Sequence, residues 1–305
     1  MKNKLLKRML VGIVMASFAT VAFATSGAYA VEGFSMSPMK QSIVLDPGES
    51  YQTSVTISNP GTNDTDFKYR VEVKPFYVDD EYNSIFEEYE NYSQIVDWIT
   101  LNSPDTGSIE PNESREIIFT IDVPLWAPGG GQYASILVSS DNDSDGDGML
   151  INEKVAMGHI IYAEITGKTS KQGEFLEMSV PGFIFSGYIG GSSAIKNTGN
   201  THGEAKYTLQ VYPLFSDEEV YSNAETPYAH IIIPGRTYYN SDAVWPETPS
   251  IGIFNVVYTV EYEGVTKQVS KMVIKCPIYL LFVVLAVFIG IIIWIVMRIR
   301  SRRKK

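Results

Sequence analysis

The chain has 305 residues, 24 Lys+Arg against 35 Asp+Glu for a formal charge of −11, three histidines and one cysteine. One cysteine excludes a disulfide framework, a four-ligand structural zinc site and an iron–sulfur centre. The acidic balance argues against nucleic-acid binding, which needs a basic face to neutralise phosphates.

At the amino end, Lys2, Lys4, Lys7 and Arg8 precede an apolar run and then Ala28-Tyr29-Ala30. This is the charge, hydrophobic and A-x-A order of a secretory signal peptide, predicted over residues 1–30 with the mature chain starting at Val31. At the other end, residues 277–297 carry no charge. At about 1.5 Å per residue they reach roughly 31 Å, the thickness of a hydrocarbon core. Arg298, Arg300, Arg302, Arg303, Lys304 and Lys305 follow at once. The positive-inside bias predicts a single-pass protein of the cell membrane, with residues 298–305 as a cytoplasmic tail and the large amino-terminal part extracytoplasmic. Without its basic ends, the stretch between them carries −21, of which −17 falls in residues 31–170 and −4 in residues 171–275.

Between the ends, short runs rich in Val, Ile, Thr and Tyr recur at 51–58, 67–76, 116–123, 132–139, 155–165, 207–212 and 254–262. In Phe67-Lys68-Tyr69-Arg70-Val71-Glu72-Val73 the odd positions are apolar and the even ones charged, the period of a strand with one wet face. The fold class expected is all-β: two tandem immunoglobulin-like β-sandwich domains, residues 31–170 and 171–275, between the signal peptide and the C-terminal helix. Residues 84–92 alone hint at a further helix. Trp98 and Trp245 are expected as core anchors.

An internal match supports two related domains. Ile57, Asn59, Gly61, Lys68, Tyr69, Val73 and Pro75 recur as Ile195, Asn197, Gly199, Lys206, Tyr207, Val211 and Pro213, without a gap and offset by 138 residues. Each copy reads as strand, Asn/Gly turn, strand. The turn-like segments at 45–50, 109–114 and 233–237 (Leu-Asp-Pro-Gly-Glu-Ser, Ile-Glu-Pro-Asn-Glu-Ser and Ile-Pro-Gly-Arg-Thr) lead into outer strands.

Two segments stand out as candidate sites. Asp141, Asp143, Asp145 and Asp147, with Gly146 at the sixth position, open like a calcium loop. Alternate oxygens converge on a cation where the backbone curls at the glycine. The twelfth position is Asn152 rather than a carboxylate, with Glu153 one residue late, which argues against an EF-hand. A weak extracellular calcium site, working at about 10⁻⁴–10⁻³ M, and a solvated hairpin tip are the two readings. In the second segment, 79–92, acids alternate with Tyr82, Phe86, Tyr89 and Tyr92. That suits contact with a basic or carbohydrate-bearing partner, or rings folded back onto the sandwich. No metal other than calcium, no cofactor and no catalytic constellation is read: Gly129-Gly-Gly131 lacks the P-loop lysine, and His159, His202 and His230 have no motif partner.

Leu45-Asp-Pro-Gly-Glu, Val55-Thr-Ile-Ser-Asn, Ile117-Ile-Phe-Thr-Ile-Asp-Val-Pro124 and Gly130-Gly-Gln-Tyr-Ala-Ser-Ile-Leu-Val138 come in the order found in the first domain of another group of proteins. The layout resembles the WxL-interacting surface proteins of Gram-positive bacteria, or related bacterial membrane-anchored immunoglobulin-like proteins. That resemblance implies binding to cell-wall peptidoglycan or to secreted and surface proteins. The expected function is therefore a membrane-anchored cell-surface binding or scaffold protein, not an enzyme. The alternatives are an extracytoplasmic chaperone or assembly factor, or a subunit of a membrane complex.

Overall fold

The computed structural model describes residues 33–60, 65–87, 93–141 and 155–302, so residues 1–30 lie outside it. The described chain is predominantly β, with one apolar helix at its carboxyl end.

The first eleven strands are β1 (Ser35–Ser37), β2 (Lys40–Leu45), β3 (Ser50–Ser58), β4 (Phe67–Pro75), β5 (Tyr77–Val78), β6 (Ser84–Ile85), β7 (Ile99–Leu101), β8 (Thr106–Ile109), β9 (Ser114–Asp122), β10 (Gly130–Ser140) and β11 (Ala156–Ile165). They form one sheet in the order β1-β3-β9-β7 and a second in the order β2-β11-β10-β4-β8. The alternation in β4 is realised: Phe67, Tyr69 and Val71 are buried and Lys68, Arg70 and Glu72 exposed. Ile57, Ile117, Phe119, Ile136 and Ile161 meet them in one core between the sheets. Each fully buried side chain of this kind stabilises by roughly 1.5–3 kcal/mol.

Eleven more strands follow: β12 (Gly173–Ser179), β13 (Phe183–Ile184), β14 (Ile189–Gly190), β15 (Ser192–Asn197), β16 (Gly203–Pro213), β17 (Tyr221–Ser222), β18 (Tyr228–Ile232), β19 (Thr237–Asn240), β20 (Val244–Trp245), β21 (Gly252–Tyr262) and β22 (Val265–Lys275). One sheet runs β12-β15-β19, and its partner runs β13-β22-β21-β16-β17 with β18 also on β16. A second core holds Ile195, Tyr207, Leu209, Val256, Tyr258 and Val273.

The strand order is thus laid down twice, and the repeated turn shows why. Asn59 donates its side-chain N–H groups to the carbonyls of Thr65 and Ile109, both at 3.0 Å. Asn197 does the same to Thr201 and Ile232, at 2.8 and 2.7 Å. The backbone repeats as well. Asn59 N–H donates to Glu113 and receives Asn112 N–H, while Asn197 N–H donates to Arg236 and receives Gly235 N–H. Asn112 and Gly235 both have positive φ, at 66° and 75°, which the Pro-Asn and Pro-Gly turns permit. Each buried asparagine therefore ties a hairpin turn to the following Ile-x-Pro or Ile-Ile-Pro turn.

One expectation differs over the residues described. Residues 84–87 form no helix: Ser84 and Ile85 pair with Val78 and Tyr77 in a hairpin closed by the Asp79 carboxylate, which accepts Asn83 N–H at 2.7 Å, and residues 88–92 lie outside the described residues. The nearby helical turn is a 3-10 segment at Gln94–Trp98. Trp98 is buried in the first core, and Trp245, half-buried between Tyr221 and Phe254, packs against the second.

Two residues after β22, helix α1 (Ile278–Arg302) begins. Its Ile278–Val296 stretch has a mean hydropathy of 3.1 and no buried part, and it is long and apolar enough to cross a membrane.

Candidate functional site

The sequence candidates divide. Asp141 is described, and its carboxylate accepts from the Arg70 guanidinium at 3.2 Å. Asp143, Asp145, Asp147, Tyr89 and Tyr92 lie outside the described residues. Among the described residues no three His, Cys, Asp or Glu side chains gather as a metal would require. Tyr82 and Phe86 are half-buried and turn inward. Phe86 lies 5.9 Å from Phe76 on the outer face of the β10–β11 sheet. Tyr82 crosses to the second set of strands. Its ring sits edge-on to Tyr238 and His230, at 4.9 and 5.1 Å, and its oxygen accepts Ile233 N–H at 3.2 Å. Burial holds its hydroxyl well above the usual phenol range. Tyr82 and Phe86 thus join a seam inside the chain, where Phe76, Val78, Tyr133, Tyr162 and Ile233 form a third cluster.

Asn200 fastens the other side of that seam. Its amide donates to the carbonyls of Lys168 and Gly129 and its oxygen accepts Ser170 N–H, while its backbone carbonyl accepts Gly131 N–H at 2.8 Å. Gly130 has φ +136°, and a Cβ there would come within 2.8 Å of the Asn200 carbonyl oxygen, so a side chain would part the two halves. Beside the lock, the His202 ring packs against Tyr133 and Tyr162, at 5.8 and 5.5 Å. Burial, and then the Lys171 charge, push its pKa down to about 4. His230, stacked flat on Tyr238 at 3.7 Å, is also lowered, by burial and then by Lys40. His159, buried in the first core, gives or takes a hydrogen bond at the Pro38 carbonyl, 2.7 Å away, and burial lowers it too. All three histidines are therefore neutral structural groups at neutral pH.

Two surfaces remain for a partner. The first is a cleft of about 610 Å³ along the seam, lined by Tyr77, Gln94, Gln132, Tyr133, Asn200 and Arg236 among others. Its one guanidinium, Arg236, is already engaged by the Asp80 carboxylate at 2.5 Å.

The second surface comes from a difference between the two halves. In the first, β2 runs parallel along β11 for six residues, Lys40 to Leu45 against Ile160 to Ile165, and covers the greater part of that side. In the second, the corresponding β13 covers only Ile274 and Lys275 of β22. From Val265 to Lys271 the outer edge of β22 has no strand partner among the described residues. The even-numbered residues aim their backbone groups outward, since Ile274 and Cys276 donate on that side to Gly182 and Ile184. Facing this edge is β12, itself an outer strand of the other sheet. The groove between them, about 260 Å³, is lined by Phe175, Leu176, Met178, Lys267, Gln268 and Val269. The Lys267 ammonium lies 4.8 Å over the Phe175 ring. Neither the length of β13 nor this opening was legible in the strand pattern.

No family model matches the chain, and no match was found among curated proteins. Among solved structures it is similar to the class 5 fimbriae chaperone CfaA, with 13% identity over 81% of this chain and 100% of that one and a TM-score of 0.39. It is also similar to the CsuC–CsuE chaperone–tip adhesion subunit pre-assembly complex of the archaic chaperone-usher Csu pili of Acinetobacter baumannii, with 13% identity, 78% and 98% coverage and a TM-score of 0.39. The E. coli chaperone DraB matches with 12% identity, 78% and 96% coverage and a TM-score of 0.37.

Proposed function

We propose that this is a membrane-anchored, extracytoplasmic protein of two tandem immunoglobulin-like domains, 31–170 and 171–275, that binds an extended segment of a secreted or surface protein by strand addition. The observation that carries this reading is the pair of open edges, β12 and β22, facing one groove. A strand laid there satisfies the outward N–H and C=O groups of Thr266, Gln268 and Ser270, and its alternate side chains reach Phe175, Met178 and Val269. Lys267 and Lys271 point toward the core side of an edge strand, an arrangement that discourages pairing between two copies. The same lysines favour a partner segment with acids among its apolar residues. The resemblance to the WxL-interacting surface proteins points in the same direction. The chain is a binding or scaffold protein in this reading, with no chemistry of its own. An assembly factor would use the same edge, holding its client only until the next subunit displaces it.

The test uses the full chain in detergent micelles, incubated with isolated cell walls and with secreted proteins. The companion variant Ser270→Pro removes one outward N–H and leaves the β21–β22 ladder intact. Retention of a protein by the wild type and its loss in the variant is expected. Equal retention by both, or retention of bare wall polymer alone, refutes strand addition.

A further inference from the structure

The end of the second sandwich nearest α1 is ringed by exposed apolar side chains from three separate loops. Register places them at one level. Lys275 of β22 stands opposite Gly252 of β21 and beside Ile184 of β13, while Pro213 of β16 stands opposite Phe254. Just beyond those rungs lie Phe185 and Tyr188, then Ile251, then Phe215, which follows Leu214 where that residue donates to the Ile253 carbonyl. All four are exposed, and Phe215 is 97% exposed with φ +68°, a backbone conformation uncommon for a bulky residue. Lys275, at this level, is turned inward: it is buried and its ammonium donates to the Gly187 carbonyl.

Only Cys276 and Pro277 separate Lys275 from α1. Three residue steps reach at most about 10 Å. The polar interfacial layer on each side of a hydrocarbon core is about 5–7 Å deep. If α1 spans, the rim at the level of Lys275 cannot stand clear of that layer by more than a few Å. Rings of Phe and Tyr are favoured at such a boundary, where an apolar body meets headgroups and water.

We infer that Phe185, Tyr188, Phe215 and Ile251 dock the base of the second sandwich into the headgroup region of the bilayer, so that the ectodomain stands in a fixed attitude on its anchor. This rests on the reading of α1 as a membrane span. Docking holds the open β22 edge above the membrane instead of letting it swing about the Cys276–Pro277 junction. Asp217, Glu218 and Glu219 follow Phe215 in the sequence, so a neutral headgroup suits the rim better than an anionic one.

The experiment uses the full chain reconstituted in phosphatidylcholine vesicles, in a Cys276→Ser background that frees the sequence of cysteine. An environment-sensitive fluorophore is attached at Phe215→Cys, at Ile289→Cys within α1, or at Val265→Cys at the far end of β22. The Phe215 label should be blue-shifted and quenched by lipids carrying a shallow nitroxide. The Ile289 label should be quenched by a deep nitroxide, and the Val265 label by neither. A Phe215 label that reports water while the Ile289 label is quenched overturns the docking and leaves the anchor standing. An Ile289 label that reports water overturns the anchor and the docking with it. Replacing Tyr188 and Ile251 with Ser should then reduce quenching at 215; unchanged quenching would show that the ring does not act together.

Discussion

Asn197 offers the sharpest test of how the repeated hairpin is held. Its side chain is fully buried and makes three bonds to backbone: its amide donates to the carbonyls of Thr201 and Ile232, and its oxygen accepts Gly199 N–H at 2.8 Å. Asn197→Ala strips both carbonyls of that donor inside the core, while Gly199 N–H keeps the Gln172 carbonyl at 3.2 Å. At about 1–3 kcal/mol for each buried group left without its partner, the loss should be about 3–4 kcal/mol. Asn197→Asp should be worse at pH 7, because a carboxylate would face two carbonyl oxygens with no donor of its own. Burial and that repulsion raise the acid's folded pKa above the unfolded value, so its stability should recover toward the alanine variant as pH falls. Hydrogen exchange read by mass spectrometry on the full chain in micelles resolves the effect by segment. Peptides from β15 and β16 should exchange two to three orders of magnitude faster in the alanine variant, at 1.4 kcal/mol per tenfold, while β3 and β4 stay protected. Acceleration below tenfold, or an aspartate variant no worse than alanine at pH 7, would refute the role assigned to this residue.

Three further outcomes follow from the seam and the edge. His202, held to about 4 against an ordinary 6.5, stays neutral in the fold while the unfolded chain takes up a proton. Stability should therefore be fully present above pH 6.5 and decline by at most about 3 kcal/mol down to pH 4; His202→Gln should remove that part of the slope in urea titrations, and identical slopes would refute it. Tyr82→Phe loses one hydrogen bond to Ile233 and should cost about 1 kcal/mol, whereas Tyr82→Ala also empties the site against Tyr238 and His230 and should cost about 3 kcal/mol; limited proteolysis of the 166–172 linker would show the seam opening in the second variant only. Replacing Lys267 and Lys271 together with Val should turn a guarded edge into a self-pairing one, seen as concentration-dependent association in sedimentation, and a variant that stays as monodisperse as the wild type would count against the edge being open.

Much of the architecture was legible because it rests on local chemistry. The alternation of Phe67 to Val73 marks one wet and one dry face whatever the neighbouring strand is. The matched Asn59 and Asn197 mark a turn that needs a short side chain able to bond backbone. The uncharged run after Pro277 needs no tertiary context either. The aromatic insertion was ambiguous because composition does not say which way a ring turns. Tyr82 and Phe86 share the acidic setting of a contact surface, yet the hairpin at Asp79–Asn83 points them at Tyr238 and Phe76. The outer face of the β10–β11 sheet decides between the two readings for Phe86, and the position of the second set of strands decides for Tyr82.

The open edge was the hardest feature to foresee, because it depends on what fails to pair. The segment Val265–Lys275 has an ordinary strand composition, and its pairing with β21 runs its full length. Whether its other side is covered is decided some ninety residues earlier in the sequence. In the first half, β1 and β2 lie on opposite sheets, and β2 continues for six residues along β11. In the second half, β12 stays with β15 as far as Ser179, and the chain then turns at Pro181 and Gly182 before two residues of β13 reach β22. The crossing begins the same way in both halves, since the Met39 carbonyl after Pro38 accepts Ile160 N–H as the Gly182 carbonyl after Pro181 accepts Ile274 N–H. The difference is that β2 meets β11 at the fifth residue of β11, whereas β13 meets β22 only at the tenth residue of β22. One repeated topology thus gives an edge covered along six residues in the amino-terminal half and along two in the half joined to the helix. That asymmetry places the longer open edge on the half that leads directly into α1.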